Sequence, residues 1–406
     1  MSEARTKQEY LAGSNQLVVV RDKAAATGPD DVEIFVIVGG DGSVTAFNGH
    51  VDLGTGIGTA LGQIVAEELD VAFARVSVVL GDTERTPNQG PTIASETIQI
   101  TAKPLARAAA TARAVLLARA AERLGLAASE LRIEDGTVIA PAPDNRALSY
   151  GELIGGERIV VRIDPAAPLK PVAEYRVVGR AAPRVDLPGK ATGGLVYVHD
   201  VRVPGMLHGR VVRPPYAGVD AGPFVGTSLI AVDEASIAHI PGIVTLVVIG
   251  DFIGIVAERE EQAAAAAEAL SVAWKPTPRL PDLTDIPAAL RANPSTAREL
   301  LRRGDVDAAR AGAAQPMDRT YVWPYHLHGS IGPSCSVADW QPEKLTLWSG
   351  TQNPHMLRAD LARLMGMEEG RVDIIRLQAA GCYGRNCADD VGGDAALLSR
   401  AVGRPV

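Results

Sequence analysis

The stretch Asp52-Leu53-Gly54-Thr55-Gly56-Ile57-Gly58-Thr59 decides how the chain is read. Before it, residues 32–48 are dense in valine, isoleucine and phenylalanine, as in strands. After it, Leu61, Ile64, Val65 and Leu69 recur at helical spacing, with Glu67 and Glu68 on the polar side. Gly54, Gly56 and Gly58 admit positive φ and let a ligand approach the backbone. The amides of residues 56–59 would form the open end of a helix, which attracts anions. Taken alone, the loop fits a tight turn better, because glycine-rich strand-to-helix loops are weak signals.

The strand-like run before the loop reads as a hairpin, residues 32–38 and 43–47, turning at Gly39-Gly40-Asp41-Gly42. Residues 17–20 and 76–80 are further strands, and residues 102–124 form a long alanine-rich helix. Ser149 with Glu152 three positions later reads as a capping box opening a short helix. Pro165, Pro168 and Pro171 mark a boundary near residue 165. Beyond it, residues 197–203, 206–213, 244–250, 252–257 and 270–274 read as strands, with a helix over 260–270. A charged, proline-studded connection over 276–316 carries one helix at 296–303. The last unit has strands at 320–323, 335–340, 345–349 and 372–377. It also has a helix over 355–365 with Leu357, Leu361 and Leu364 on one face, and a final helix from about Asp389. Strand, polar or glycine-rich loop and helix therefore recur at 48–60, 347–358 and 374–395, and each loop can face one extended polar ligand.

The 406 residues are enough for two or three domains, and 47% hydrophobic content supplies a sizeable core. The net charge of −8 argues against nucleic acid as a partner. Residues 1–16 lack the apolar core of a signal peptide, and no apolar run approaches the roughly 20 residues of a membrane span. Cys335, Cys382 and Cys387 are too few for a disulfide framework or for the four thiolates of an iron–sulfur cluster. The expected location is cytoplasmic. Gly54, Gly56 and Gly58 do not match the dinucleotide fingerprint, and no phosphate-binding loop follows any strand. His326 and His328 would share a strand face, which suits polar residues lining a cavity better than a metal site lacking further ligands. Asp389 and Asp390 suit a helix start, where the dipole favours acids.

Together these residues resemble the large molybdopterin-binding subunit of the xanthine dehydrogenase and aldehyde oxidase family, in the branch with isoquinoline 1-oxidoreductase and nicotinate dehydrogenase. Four stretches carry the resemblance. They are Asp41-Gly42-Ser43-Val44 through Gly54-Thr55-Gly56-Ile57-Gly58 to Leu69, Gly81-Asp82-Thr83 through Gly90-Pro91-Thr92-Ile93-Ala94-Ser95, residues 193–213, and Trp348-Ser349-Gly350-Thr351-Gln352-Asn353-Pro354 with Gly381-Cys382-Tyr383-Gly384-Arg385-Asn386. The resemblance implies an α+β fold with a molybdopterin-binding domain at 1–165, a hammerhead-like domain at 166–280, a connection at 281–316 and an incomplete second molybdopterin-binding domain at 317–406. This permuted order is the one the isoquinoline and nicotinate branch shows.

By resemblance, Gln352 hydrogen-bonds a ligand of the molybdenum. Gly381, Cys382, Tyr383, Gly384 and Arg385 form the glycine-rich loop beside the metal, with Tyr383 where relatives carry phenylalanine. Gly54, Thr55, Gly56, Gly58, Thr92 and Ser95 hold the pterin and its phosphate, although relatives often carry glutamine at Thr55. The implied cofactor is a molybdopterin-type molybdenum cofactor, in its cytosine dinucleotide form. The implied reaction hydroxylates a carbon beside a ring nitrogen of an N-heteroaromatic substrate, with water as the oxygen source. Implied partners are a small [2Fe-2S] subunit that takes the electrons and the remainder of the large subunit or a complementary chain. The family's catalytic glutamate belongs to a Gly-x-Gly-Glu-like segment expected beyond Val406. Glu67, Glu68 and Glu96 lie outside any matching motif, so no catalytic residue is assigned. A non-catalytic binding or assembly piece is the alternative reading.

Overall fold

The computed structural model describes residues 5–23, 31–215, 226–276, 282–324, 326, 328–379, 381–384 and 390–406. The first unit opens with helix α1 (Lys7–Ala12) and strands β1 (Gln16–Asp22), β2 (Val32–Gly39) and β3 (Val44–Asn48). Helix α2 (Ile57–Leu69) crosses over to β4 (Val76–Leu80), and the long helix α3 (Ala102–Leu124) follows. A small meander, β5 (Arg132–Glu134), β6 (Thr137–Ile139) and β7 (Ala147–Ser149), leads to α4 (Tyr150–Ile154) and β8 (Arg158–Arg162). The main sheet runs β4-β3-β2-β1-β8. The β3/β4 and β1/β8 pairs are parallel, and the two pairs between them are antiparallel.

The unbroken run Leu17-Val18-Val19-Val20 has a physical reason. Leu17 and Val19 pack into the main core with α2 and α3, while Val18 and Val20 face a second layer with Tyr10 and Leu11 of α1. With both faces covered, period-two alternation is lost.

The second unit holds α5 (Leu187–Thr192) and the three-stranded sheet of β9 (His208–Val212), β11 (Ile243–Ile249) and β12 (Phe252–Ala257). Beside it are β10 (Leu229–Asp233), α6 (Glu260–Ala269) and β13 (Ser271–Trp274), with β10 and β13 pairing antiparallel. Two short helices follow, α7 (Ile286–Ala292) and α8 (Val306–Ala311). The third unit comprises β14 (Ser336–Gln341), β15 (Lys344–Ser349), α9 (Pro354–Met365), β16 (Val372–Arg376) and α10 (Asp390–Val402).

The first and third units share one design. In each, an antiparallel hairpin (β2/β3, β14/β15) is followed by a helix that crosses to a parallel strand. Each crossover helix ends on a left-handed residue, Asp70 at φ 51° or Gly366 at φ 66°. A 3-10 turn, Phe73–Arg75 or Glu369–Arg371, then feeds the strand that begins at Val76 or Val372. Four loops consequently leave the carboxyl ends of the parallel strands β3, β4, β15 and β16. Ligands of open α/β sheets bind outside those ends.

Four sequence expectations are corrected. Residues 197–203 are not a strand. The Asp200 carboxylate accepts the Tyr197 amide at 3.0 Å and closes a 3-10 turn, Val198–Asp200. Residues 296–303 are not helical, because Leu300 and Leu301 are about 80% exposed and no apolar face is buried there. The helices sit on either side instead, where Asp285 and Asp305 accept the amides of Ala288 and Ala308. Residues 320–323 pair with no other strand among the described residues, so they form none. Leu364 is 46% exposed, whereas Leu357 and Leu361 are buried.

Candidate functional site

Gln352 sits in the loop after β15 and is 3% exposed. Its Nε2 donates to the Thr92 carbonyl at 2.9 Å, and its own carbonyl accepts the Thr92 amide at 3.0 Å. The Cys382 thiol donates to Gln352 Oε1 at 2.5 Å. Thr92 Oγ1 in turn accepts the Val51 amide at 2.9 Å. One joint therefore ties together the loops after β3, β4, β15 and β16. A carbonyl on one side and a thiol on the other fix which end of the Gln352 amide is which. One Nε2 hydrogen remains beyond the bond to Thr92.

Next to this joint is a cavity of about 100 Å³. Asp52, Leu53, Gly54, Lys190, Gly350 and Arg376 line it, with Tyr197, Gln378, Ala379, Gly381 and Cys382. A Cβ on Gly54 would meet nothing within 4 Å, so backbone is open to the cavity there. Gly381 differs, because at φ 121° a Cβ would stand 3.0 Å from the Tyr383 ring.

The glycine loop itself works differently from the open helix end expected for it. The Asp52 carboxylate accepts the amides of Gly54, Gly56 and Gly58 at 2.8, 3.2 and 3.4 Å. The chain's own acid therefore fills the anion site at the start of α2. The amides of Gly54, Gly56 and Gly58 are thus turned to Asp52 in this structure. The other side of the loop is pinned by Arg184, whose Nη1 donates to the Gly54 carbonyl at 3.0 Å. A Cβ at Gly56, where φ is 77°, would come within 3.1 Å of the Arg184 Nε. Arg184 is held by Asp186, whose carboxyl is kept well below its usual range by the Arg184 hydrogen bond and then by Lys190.

Under the loop, His50 is fully buried. Its Nε2 faces the Gln89 carbonyl at 3.3 Å and its Nδ1 the Thr97 hydroxyl at 2.8 Å. A carbonyl only accepts, so Nε2 carries the proton and Nδ1 accepts from Thr97. Burial pulls the His50 pKa down, which keeps the ring neutral. At Gly49 a Cβ would lie 2.1 Å from the Pro87 carbonyl. Gly49→Ala is therefore expected to force the β3 and β4 loops apart at a cost of about 2 kcal/mol, read as a lower midpoint of thermal unfolding.

Among the residues singled out in the sequence, Gly54, Thr92, Gln352, Gly381 and Cys382 come together at the joint and its cavity. Gly384 is adjacent, and its amide donates to Cys382 Sγ at 3.3 Å. Thr55 and Ser95 are exposed, and Tyr383 is 62% exposed. Ala94 and Ser95 both take left-handed φ, 49° and 59°. Arg385 lies outside the described residues, as do Asn386, Cys387 and Asp389. His326 and His328 lie in no strand, and His328 stands against Gly384. Asp52, Arg184 and Arg376 were missed. An acid heading a Gly-x-Gly-x-Gly run was the available signal for Asp52, since such side chains bond the amides that follow them.

Residues 13–186 match a family model described as a molybdopterin cofactor-binding domain, and residues 291–406 match a second model of the same description. The chain is a member of the molybdopterin cofactor-binding family. It is 58% identical, over 99% of its length, to a subunit of the nicotinate dehydrogenase of Pseudomonas putida, and spans 35% of that protein. It is 27% identical, over 94% of its length, to the beta chain of the isoquinoline 1-oxidoreductase of Brevundimonas diminuta, and spans 54% of that one. The chain thus covers between a third and just over half of these two relatives. Among solved structures, quinoline 2-oxidoreductase from Pseudomonas putida 86 superposes with a TM-score of 0.44 at 20% identity, covering 56% of this chain and 34% of that one. Among the described residues, no helix is long and apolar enough to cross a membrane. The joint at Gln352 links residues from both family-matched segments.

Proposed function

We propose that the chain is the cofactor-binding part of a molybdenum-dependent oxidoreductase that hydroxylates an N-heteroaromatic substrate such as nicotinate. The observation that carries this reading is the joint at Gln352, where both molybdopterin-binding segments meet beside a cavity with open backbone at Gly54. When bound, the molybdenum cofactor supplies the two-electron oxidation of a ring carbon beside nitrogen, with water as the oxygen source.

The residues present fit that group. Gln352 keeps one N–H beyond its bond to Thr92 and is clamped on both sides, so a donor is held in a fixed direction. Gly54 and Gly381 bring backbone rather than side chains to the cavity wall. Asp52 holds the loop in shape without consuming the Gln352 donor. The cofactor is proposed in its cytosine dinucleotide form. The proposed layout has molybdopterin-binding domains at 1–165 and 317–406, around a hammerhead-like domain at 166–280. A [2Fe-2S] subunit is the proposed electron acceptor, the remainder of the large subunit or a complementary chain the proposed structural partner, and the cytoplasm the proposed compartment.

The test is co-expression of the whole large subunit with its iron–sulfur partner. Stoichiometric molybdenum by elemental analysis, and hydroxylated nicotinate carrying isotope from labelled water, are the expected results. Purified complex with only trace molybdenum would refute the reading.

A further inference from the structure

Arg376 ends β16 and faces the same cavity as Asp52, Lys190 and Cys382. The residue as a whole is half-buried, yet its Nε is closed off from solvent and has no hydrogen-bond partner. Among the described residues, no hydrogen bond or ion pair of this guanidinium is found. The carboxylate nearest in effect, Asp52, acts on it only through space and is committed to three loop amides. The other cation of the cavity is already matched, since Lys190 Nζ bonds Asp186 Oδ2 at 2.6 Å. A guanidinium with its Nε buried and unpartnered is costly, and a bound ion or ligand is one explanation for such a group. Its planar fork suits a tetrahedral oxyanion, which accepts two of its N–H groups at once.

We infer that Arg376 is the anion-holding residue of the cavity, and that its ligand is a phosphate-type oxyanion. The inference rests on the proposed function where that oxyanion is the phosphate of the pterin cofactor. The same chemistry is met by free inorganic phosphate. The inference also shifts the anion contact from the glycine-loop amides, which Asp52 occupies, to a side chain on the opposite wall. Burial pulls the Arg376 pKa down to about 10, against the opposing pull of Asp52 and Cys382, so it remains a cation at neutral pH. Lys190 and Gly54 complete the walls without competing for the ligand.

The test compares wild type, Arg376→Met and Arg376→Lys in the whole subunit, purified with its partner. Molybdenum and released pterin are measured per chain. Thermal unfolding of the cofactor-free protein is followed with and without inorganic phosphate. If the cofactor phosphate is the ligand, Arg376→Met loses about tenfold or more of both molybdenum and pterin, and Arg376→Lys recovers part of it. If free phosphate is the ligand, it raises the unfolding midpoint of wild type and of Arg376→Lys but not of Arg376→Met, with cofactor content unchanged. Either outcome supports the inference and names the source. Equal cofactor content in all three, with no phosphate response in any, overturns it. Should the midpoint of Arg376→Met without phosphate fall, the comparison of wild type with Arg376→Lys decides, since lysine keeps the charge but loses the fork. Wild type empty of molybdenum and pterin would refute the proposed function, while the phosphate arm still tests Arg376.

Discussion

Gln352→Ala is expected to release the cofactor while leaving most of the chain folded. The substitution removes the donor to the Thr92 carbonyl and the acceptor of the Cys382 thiol, so the loops after β4 and β16 lose their shared clamp. It also removes the remaining N–H that the proposed site offers. An interaction of this kind with a charged group is worth about 1.5–3 kcal/mol, or about tenfold to a hundredfold in retention. The cost to folding is smaller, about 1–2 kcal/mol for a buried carbonyl left without its donor. Gln352→Glu is the informative companion, because it keeps the shape but turns a carboxylate oxygen toward the Thr92 carbonyl. Both variants should show molybdenum content falling much further than the unfolding midpoint. A parallel fall in the two would mean that Gln352 is only a structural residue.

Glu67→Ala is expected to cost more stability than Gln352→Ala or Gly49→Ala, about 3–5 kcal/mol. The side chain lies on α2 and is 1% exposed. Its carboxylate accepts the amides of Arg176, Val177 and Val178 at 2.9, 2.6 and 2.9 Å, and the Lys170 ammonium at 2.9 Å. Lys170 also bonds Asp70 at 2.6 Å. Without Glu67, three amides and part of an ammonium's coordination are stranded, and the segment around residues 170–178 loses its attachment to α2. Urea unfolding should show the transition at markedly lower denaturant.

The same group sets a dependence on acid. Burial raises the Glu67 pKa, but the Lys170 bond and the three amides outweigh it and hold the carboxyl below its usual 4.5. A carboxyl whose folded pKa is depressed stabilises the protein above its unfolded value, and that stability drains as pH falls through the folded value. Wild type should therefore lose stability below about pH 4.5 more steeply than Glu67→Ala, in which this contribution is already absent. Equal acid slopes would show that the Glu67 carboxylate is not held by Lys170 and the three amides.

Much of the architecture was legible because it is punctuated locally. Gly39-Gly40-Asp41-Gly42 turns a hairpin, Ser149 and Glu152 cap a helix, and the alanine-rich composition of residues 102–124 marks α3 along its whole length. What precedes α3 was not legible. In the π-helical stretch Thr97–Thr101, the Thr101 hydroxyl donates to the Thr97 carbonyl and accepts from the Asn48 amide, more than fifty residues away. The loops of the site could be found by composition, yet their meeting could not. Thr92 and Gln352 lie in the loops of two separate sheets, 260 residues apart. Asp52 had a local signal, since an acid two residues before Gly54 is within reach of the amides that follow it. Arg376 reads in sequence as an ordinary charge closing an apolar strand, and only the cavity beside it gives it significance.

The clamp at Gln352 also dictates an order of events during synthesis. The bond between Gln352 and Thr92 spans 260 residues, and the thiol that completes it lies 30 further on. A nascent chain that has emerged only through β8 can build the first sheet and the Asp52-braced loop, but of the cavity wall it has only Asp52, Leu53 and Gly54. It has nothing to close them with. Contacts of such separation form late, after the local hairpins and helices. The pocket becomes complete only once residue 382 has left the ribosome and the third unit has docked. Cofactor loading must therefore follow folding rather than guide it. A ribosome stalled between residues 165 and 350 would yield a chain that folds in part but binds nothing.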